Sequence, residues 1–133
     1  MAVSIAVVDG SGTIFESLRD VLPDAALWRV DEAAEEGEVS GADLIIVAAY
    51  PSPSWPEVGR FASASRTLVM SESPNLADER QAQLCGAVGY LPAGLWHAAL
   101  RRGIDYALAG GRVNVAAALG LTPSRETAGL RGS

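Results

Sequence analysis

Short apolar runs alternate along the chain with segments in which apolar residues recur at helical spacing. The runs are residues 3–8, 26–30, 43–50, 67–71 and 87–91. Most are rich in branched residues and bounded by Gly, Pro, Asn or Asp, the pattern of strands. The third, built on Leu44-Ile45-Ile46-Val47, has no polar alternation. A strand of that composition is expected to be buried on both faces, in the middle of a parallel sheet covered by helices.

Between the runs the period lengthens. Ile14, Leu18, Val21 and Leu22 mark a first helix, opened by a capping box at Thr13 and Glu16 and stopped by Pro23. Ser54 and Glu57 form a second capping box ahead of a helix to about residue 64. Asn75 caps a third helix that runs to Cys85 and ends at Gly86. Residues 95–109 predict a strong last helix with Trp96, Leu100, Ile104, Ala107 and Leu108 on one apolar face, ended by Gly110-Gly111. Residues 31–40 are acidic and small, with one turn of helix at most and a solvated charged face. Strands alternating with helices predict an α/β fold, a doubly wound parallel sheet with right-handed crossovers.

Ligands of such a sheet bind beyond the carboxyl ends of the strands. That end of the third strand is Ala48-Ala49-Tyr50-Pro51, which carries neither charge nor nucleophile. The first strand ends at Asp9-Gly10-Ser11-Gly12 and the fourth at Ser71. All ten basic residues are Arg, so no lysine-dependent mechanism operates. The net charge of −6 argues against binding nucleic acid, whose phosphates need a basic face. His97 has no Cys or second His near it, which excludes a zinc site and a triad built on it. The single Cys85 forms no internal disulfide and fits a reducing cytosol. No apolar run approaches the roughly 18 residues that span a bilayer, and no signal peptide is expected. At 133 residues with 49% apolar composition, the chain has enough material for one folded core.

Gly89-Tyr90-Leu91 through Gly110-Gly111, with Gly86-Ala87 before it, resembles the fifth strand and last helix of receiver domains in bacterial response regulators that carry a LuxR-type DNA-binding domain. The resemblance spans roughly residues 3–113. It implies a CheY-like five-stranded sheet of order 2-1-3-4-5. It also implies where the receiver's phosphorylation residues would fall. The acidic pair falls on Asp9 and Gly10, the phosphoacceptor Asp on Ala48, the Ser/Thr on Ser71 and the Lys on Ala93. Mg²⁺ wants several hard oxygens, and phosphoryl transfer needs a nucleophile and cations for the developing charge. Asp9 alone is a poor site, and Ala48 and Ala93 supply nothing. The resemblance is therefore to an atypical, or pseudo-, receiver with a degenerate phosphorylation site, no cofactor, no metal and no enzymatic activity.

Leu121-Thr122-Pro123-Ser124-Arg125-Glu126 is similar, one residue offset, to the "LTPRE" opening of the LuxR-type helix-turn-helix. Residues 1–113 are then a receiver-like domain of a cytoplasmic transcriptional regulator. Residues 114–133 are a linker or tail, or the start of a truncated helix-turn-helix domain. DNA would be bound only through that further domain. The expected role is phosphorylation-independent regulation and homodimerisation. The face made by the fourth helix, fifth strand and fifth helix is where receivers commonly dimerise, with Arg80, Gln83, Tyr90, Trp96, Arg101 and Asp105 as candidates. The alternative is a small-molecule sensor using the vacated cleft, lined by Asp9, Ser11, Tyr50, Trp55 and Ser71. A third reading rests on residues 9–17, which resemble the first motif of haloacid-dehalogenase-type phosphatases. There Asp9 would be the nucleophile, but Ser11 stands at the acid/base position and the third-motif Lys is missing.

Overall fold

A computed structural model describes residues 2–31, 35–48 and 53–115, with Glu36 described in its backbone only. Among the described residues five strands and four helices alternate: β1 Ser4–Val8, α1 Thr13–Val21, β2 Ala26–Val30, β3 Leu44–Ala48, α2 Trp55–Ala64, β4 Thr67–Ser71, α3 Leu76–Leu84, β5 Gly89–Pro92 and α4 His97–Leu108. Between β2 and β3 the described residues form a 3-10 turn, Glu36–Val39. All strands are parallel, in the order β2-β1-β3-β4-β5. This is the doubly wound sheet of the CheY-like type that the alternation and the resemblance predict.

The period-two geometry of a strand sorts its side chains to the two faces. On one face Ile5, Val7, Leu44, Ile46, Ala48, Leu68, Met70 and Leu91 pack against α1 and α4 through Ile14, Leu18, Leu100, Ile104 and Ala107. On the other face Ala6, Val8, Ile45, Val47, Val69 and Tyr90 pack under α2 and α3 through Val58, Phe61 and Ala82. Each fully buried Leu, Ile or Phe contributes about 1.5–3 kcal/mol. Every residue of β3 and β4 is buried, because these strands have both a neighbour on each side and a helix layer on each face.

Local differences from the sequence expectations have physical causes. Thr13 does not cap α1. It is the first helical residue, and Gly12 takes the cap position with φ +83°, a left-handed conformation that strains any residue with a Cβ. Ser54 does stand at the cap of α2, but its side chain makes no capping bond among the described residues. Asn75 caps α3 as expected, its Oδ1 accepting from the Asp78 N–H at 2.8 Å. The fifth strand begins at Gly89, two residues later than the pattern suggests, and the last helix begins at His97. Trp96 stands at the cap of that helix and is 60% exposed, so it is not part of the apolar face. No helix among the described residues is long and apolar enough to cross a membrane.

After α4 the chain returns to the sheet. Val113 makes an isolated parallel bridge to Gly89, its N–H donating to the Val88 carbonyl at 2.8 Å. The exposed edge of β5 is thereby partly closed, which removes backbone groups that would otherwise invite pairing with another chain.

Candidate functional site

The carboxyl ends of β1, β3 and β4 bring Asp9, Ala48 and Ser71 to one end of the sheet. Register aligns these ends: Val8 pairs with Val47, Ala48 with Met70, and Ser71 with Pro92. Asp9, Ala48 and Ser71 are each about 3% exposed.

Asp9 is spent on local structure. Its Oδ1 accepts from the N–H of Ser11 at 3.2 Å and from the Ser11 hydroxyl at 3.0 Å. Its Oδ2 accepts from the N–H of Phe15 at 3.0 Å. Phe15 is the third residue of α1, so the carboxylate satisfies an amide that has no partner inside the helix. Its negative charge also faces the positive end of the helix dipole. The Ser11 hydroxyl in turn accepts from the Thr13 N–H at 3.2 Å. Thus Asp9 and Ser11 together do the capping that the Thr13–Glu16 pattern suggested. From the next strand, Arg29 Nη1 donates to the Asp9 carbonyl at 2.9 Å and meets Asp31 at 3.3 Å. Among the described residues, no three His, Cys, Asp or Glu side chains converge as a metal-binding group.

The other positions are chemically quiet. Ala48 belongs to the apolar cluster shared with Met70, Leu91 and Leu100. Ser71 Oγ accepts from the Ser73 N–H at 3.0 Å within its own loop, while the Ser71 carbonyl takes the Ala93 N–H at 2.8 Å. Gly10 is exposed, and Ala93 is half-buried against the apolar cluster. Of the candidate ligand-cleft residues, Asp9, Ser11 and Ser71 lie at this end of the sheet. Trp55 opens α2 and packs half-buried with Val58 and Phe61, its carbonyl accepting from the Cys85 thiol at 3.4 Å. Tyr50 lies outside the described residues, as does the 121–126 segment.

The candidate dimer residues do not share one surface. Tyr90 is 4% exposed, packed under the sheet, and its hydroxyl accepts from the Asn75 N–H at 3.3 Å. It ties β5 to the loop before α3. Arg101 turns to the end of α1, where it donates to the Val21 carbonyl at 3.5 Å and to Asp24 at 3.4 Å. Asp105 follows it there, 3.6 Å from Arg101 Nε. These groups fasten α4 to the end of α1. Arg80, Gln83 and Trp96 are exposed. His97 is exposed at the start of α4. Sequence reasoning missed Trp28, whose indole N–H donates to the Glu38 carbonyl at 3.0 Å and pins the 3-10 turn to β2. Its position inside a strand pattern gave no sign of that partner.

No family model and no curated protein sequence matches the chain. Solved structures match it well. A response-regulator signal receiver domain from Mycobacterium tuberculosis superposes with a TM-score of 0.69 at 17% identity, covering 82% of this chain and 98% of its own. A response regulator from Thermotoga maritima gives 0.70 at 16% identity, with 82% and 99% covered. A two-component response regulator of the LuxR family from Aurantimonas gives 0.69 at 22% identity, with both chains covered completely. The fold of this chain is the receiver fold of response regulators.

Proposed function

We propose that the protein is a phosphorylation-independent receiver-like module, a regulatory scaffold with no catalytic role. The observation that carries this reading is Asp9. In a phosphorylatable receiver a carboxylate here would face a metal ion, whereas the Asp9 oxygens accept three local hydrogen bonds that hold the start of α1. Ala48, at the end of β3, offers no nucleophile, and Ala93 no cation. The same features argue against the phosphatase reading, since a carboxylate tied to Ser11 and Phe15 is not free to attack. The burial of Ala48 within an apolar cluster favours a scaffold over a ligand sensor built on a vacated cleft. Incubation with acetyl phosphate and Mg²⁺ should leave the intact mass unchanged. A single phosphoryl adduct, lost on Asp9→Asn, would overturn the reading and restore the phosphatase.

A phosphate-blind regulator still has to act on a partner, and symmetric dimers are the commonest assembly. Trp96 is 60% exposed at the start of α4, and Trp is enriched among residues that dominate binding energy. We propose homodimerisation with Trp96 in the contact, and DNA binding only through a further domain. Light scattering over a concentration series should show a dimer that Trp96→Ala weakens by about tenfold or more, some 1.4 kcal/mol. A monomer at every concentration, or a dimer indifferent to Trp96→Ala, removes this part of the proposal.

A further inference from the structure

Helix α3 is thinly covered. Of its residues only Ala82 is buried, and Leu76 in its first turn is 77% exposed. A surface helix normally turns its apolar stripe to the core, but Leu76 is not used that way. It forms one wall of a groove of about 330 Å³ whose other apolar walls are Pro74, Tyr90, Pro92 and Val115. Glu79 is the one charged residue lining it among the described residues.

The chain delivers its own next segment to this groove. The bridge at Val113 fixes the backbone beside β5, and two residues later Val115 stands in the groove wall with a helical backbone. The sequence then runs Ala116-Ala117-Ala118-Leu119-Gly120-Leu121, with no charge from Val113 to Ser124. Leu119 is the first large apolar side chain after Val115. We propose that the α3–β5 groove is a docking site for the chain's own segment 116–121, with Leu119 against Leu76. An uncharged apolar segment beginning in the wall of an apolar groove is matched to it in chemistry and in position. A second copy would have to displace a segment that is covalently delivered to the place. Docking holds whatever follows residue 121 against α3 and the Asn75–Tyr90 contact. The inference stands apart from the question of phosphorylation.

The test uses the full chain carrying Cys85→Ser, Leu76→Cys and Leu119→Cys, treated with a short bismaleimide. The expected product is an intramolecular link, formed about tenfold faster than in a chain with Ala128→Cys in place of Leu119→Cys, because a held pair exceeds a merely tethered one in effective concentration. Equal rates would mean a tethered tail and overturn the proposal. Predominantly intermolecular links would assign the groove to a second copy and also overturn it. In the otherwise unchanged chain, Leu119→Asp should speed amide exchange in α3 by about fivefold while Ala128→Asp leaves it alone. Unaltered exchange in Leu119→Asp would count equally against docking.

Discussion

Asp9→Ala should destabilise the protein by about 2–4 kcal/mol, measured by urea unfolding. Two backbone amides, of Ser11 and Phe15, and the Ser11 hydroxyl lose their acceptor together. A buried donor left without a partner costs about 1–3 kcal/mol, and loss of a helix cap alone costs about 0.5–2. The two figures overlap, since the Phe15 amide is counted in both, so the sum is less than their total. For a domain of this size each kcal/mol lowers the melting temperature by about 4 °C. The sign separates two views of Asp9. A carboxylate left over from a metal site, held beside nothing that needs it, would be neutral or stabilising to remove. A carboxylate that caps α1 must be destabilising to remove, and Asp9→Asn, which keeps an acceptor oxygen, should recover part of the loss. If Asp9→Ala unfolds at the same urea concentration as the parent chain, the capping role is wrong.

Gly89→Ala should cost about 1–3 kcal/mol, the range for forcing extra atoms into a packed site. A Cβ at this position would lie 2.5 Å from the Val113 carbonyl oxygen, 2.6 Å from the Val113 Cβ and 3.1 Å from Leu68 Cδ1. The first two contacts cannot be relieved by a rotamer change, because they involve backbone and a Cβ; the segment at Val113 has to move off the edge of β5. Hydrogen exchange should therefore show loss of protection at the Val113 amide, which donates to Val88. The Val69 and Leu91 amides, inside the sheet, should keep theirs. A variant that retains Val113 protection would show that the edge can adjust around the methyl group, and that Gly89 is not needed for closing it.

Much of this architecture can be read from one sequence because it rests on local periodicity. The runs at β1, β3 and β4 alternate strictly between two helix layers, so a continuous apolar pattern is both necessary and sufficient to identify them. The bounds of β2 and β4 coincide with the sequence expectation, since turn residues or Pro23 flank them. The alternation of strand and helix constrains the handedness of the crossovers, and with the family pattern at residues 86–111 it leads to the observed strand order. The same positional reasoning places Ala48 and Ser71 at the ends of their strands.

What the tertiary structure alone decides are the contacts between residues far apart or bent toward one another by a turn. The capping box at Thr13 and Glu16 looked sufficient for α1; the left-handed turn at Gly12 instead brings Asp9 within reach of the Phe15 amide, and the carboxylate prevails as a charged acceptor at the helix's positive end. Helical spacing puts Arg101 and Asp105 on α4 without saying which neighbour that side of α4 meets. Only the packing of α4 against α1 turns them to Asp24 and the Val21 carbonyl. Tyr90 carries a polar tip that suits a surface, yet period two in β5 sends it under the sheet, where the Asn75 amide satisfies its hydroxyl. The closing of β5 by Val113 has no local signature beyond a glycine, since backbone pairing depends on the approach of two chain segments and hardly on their side chains.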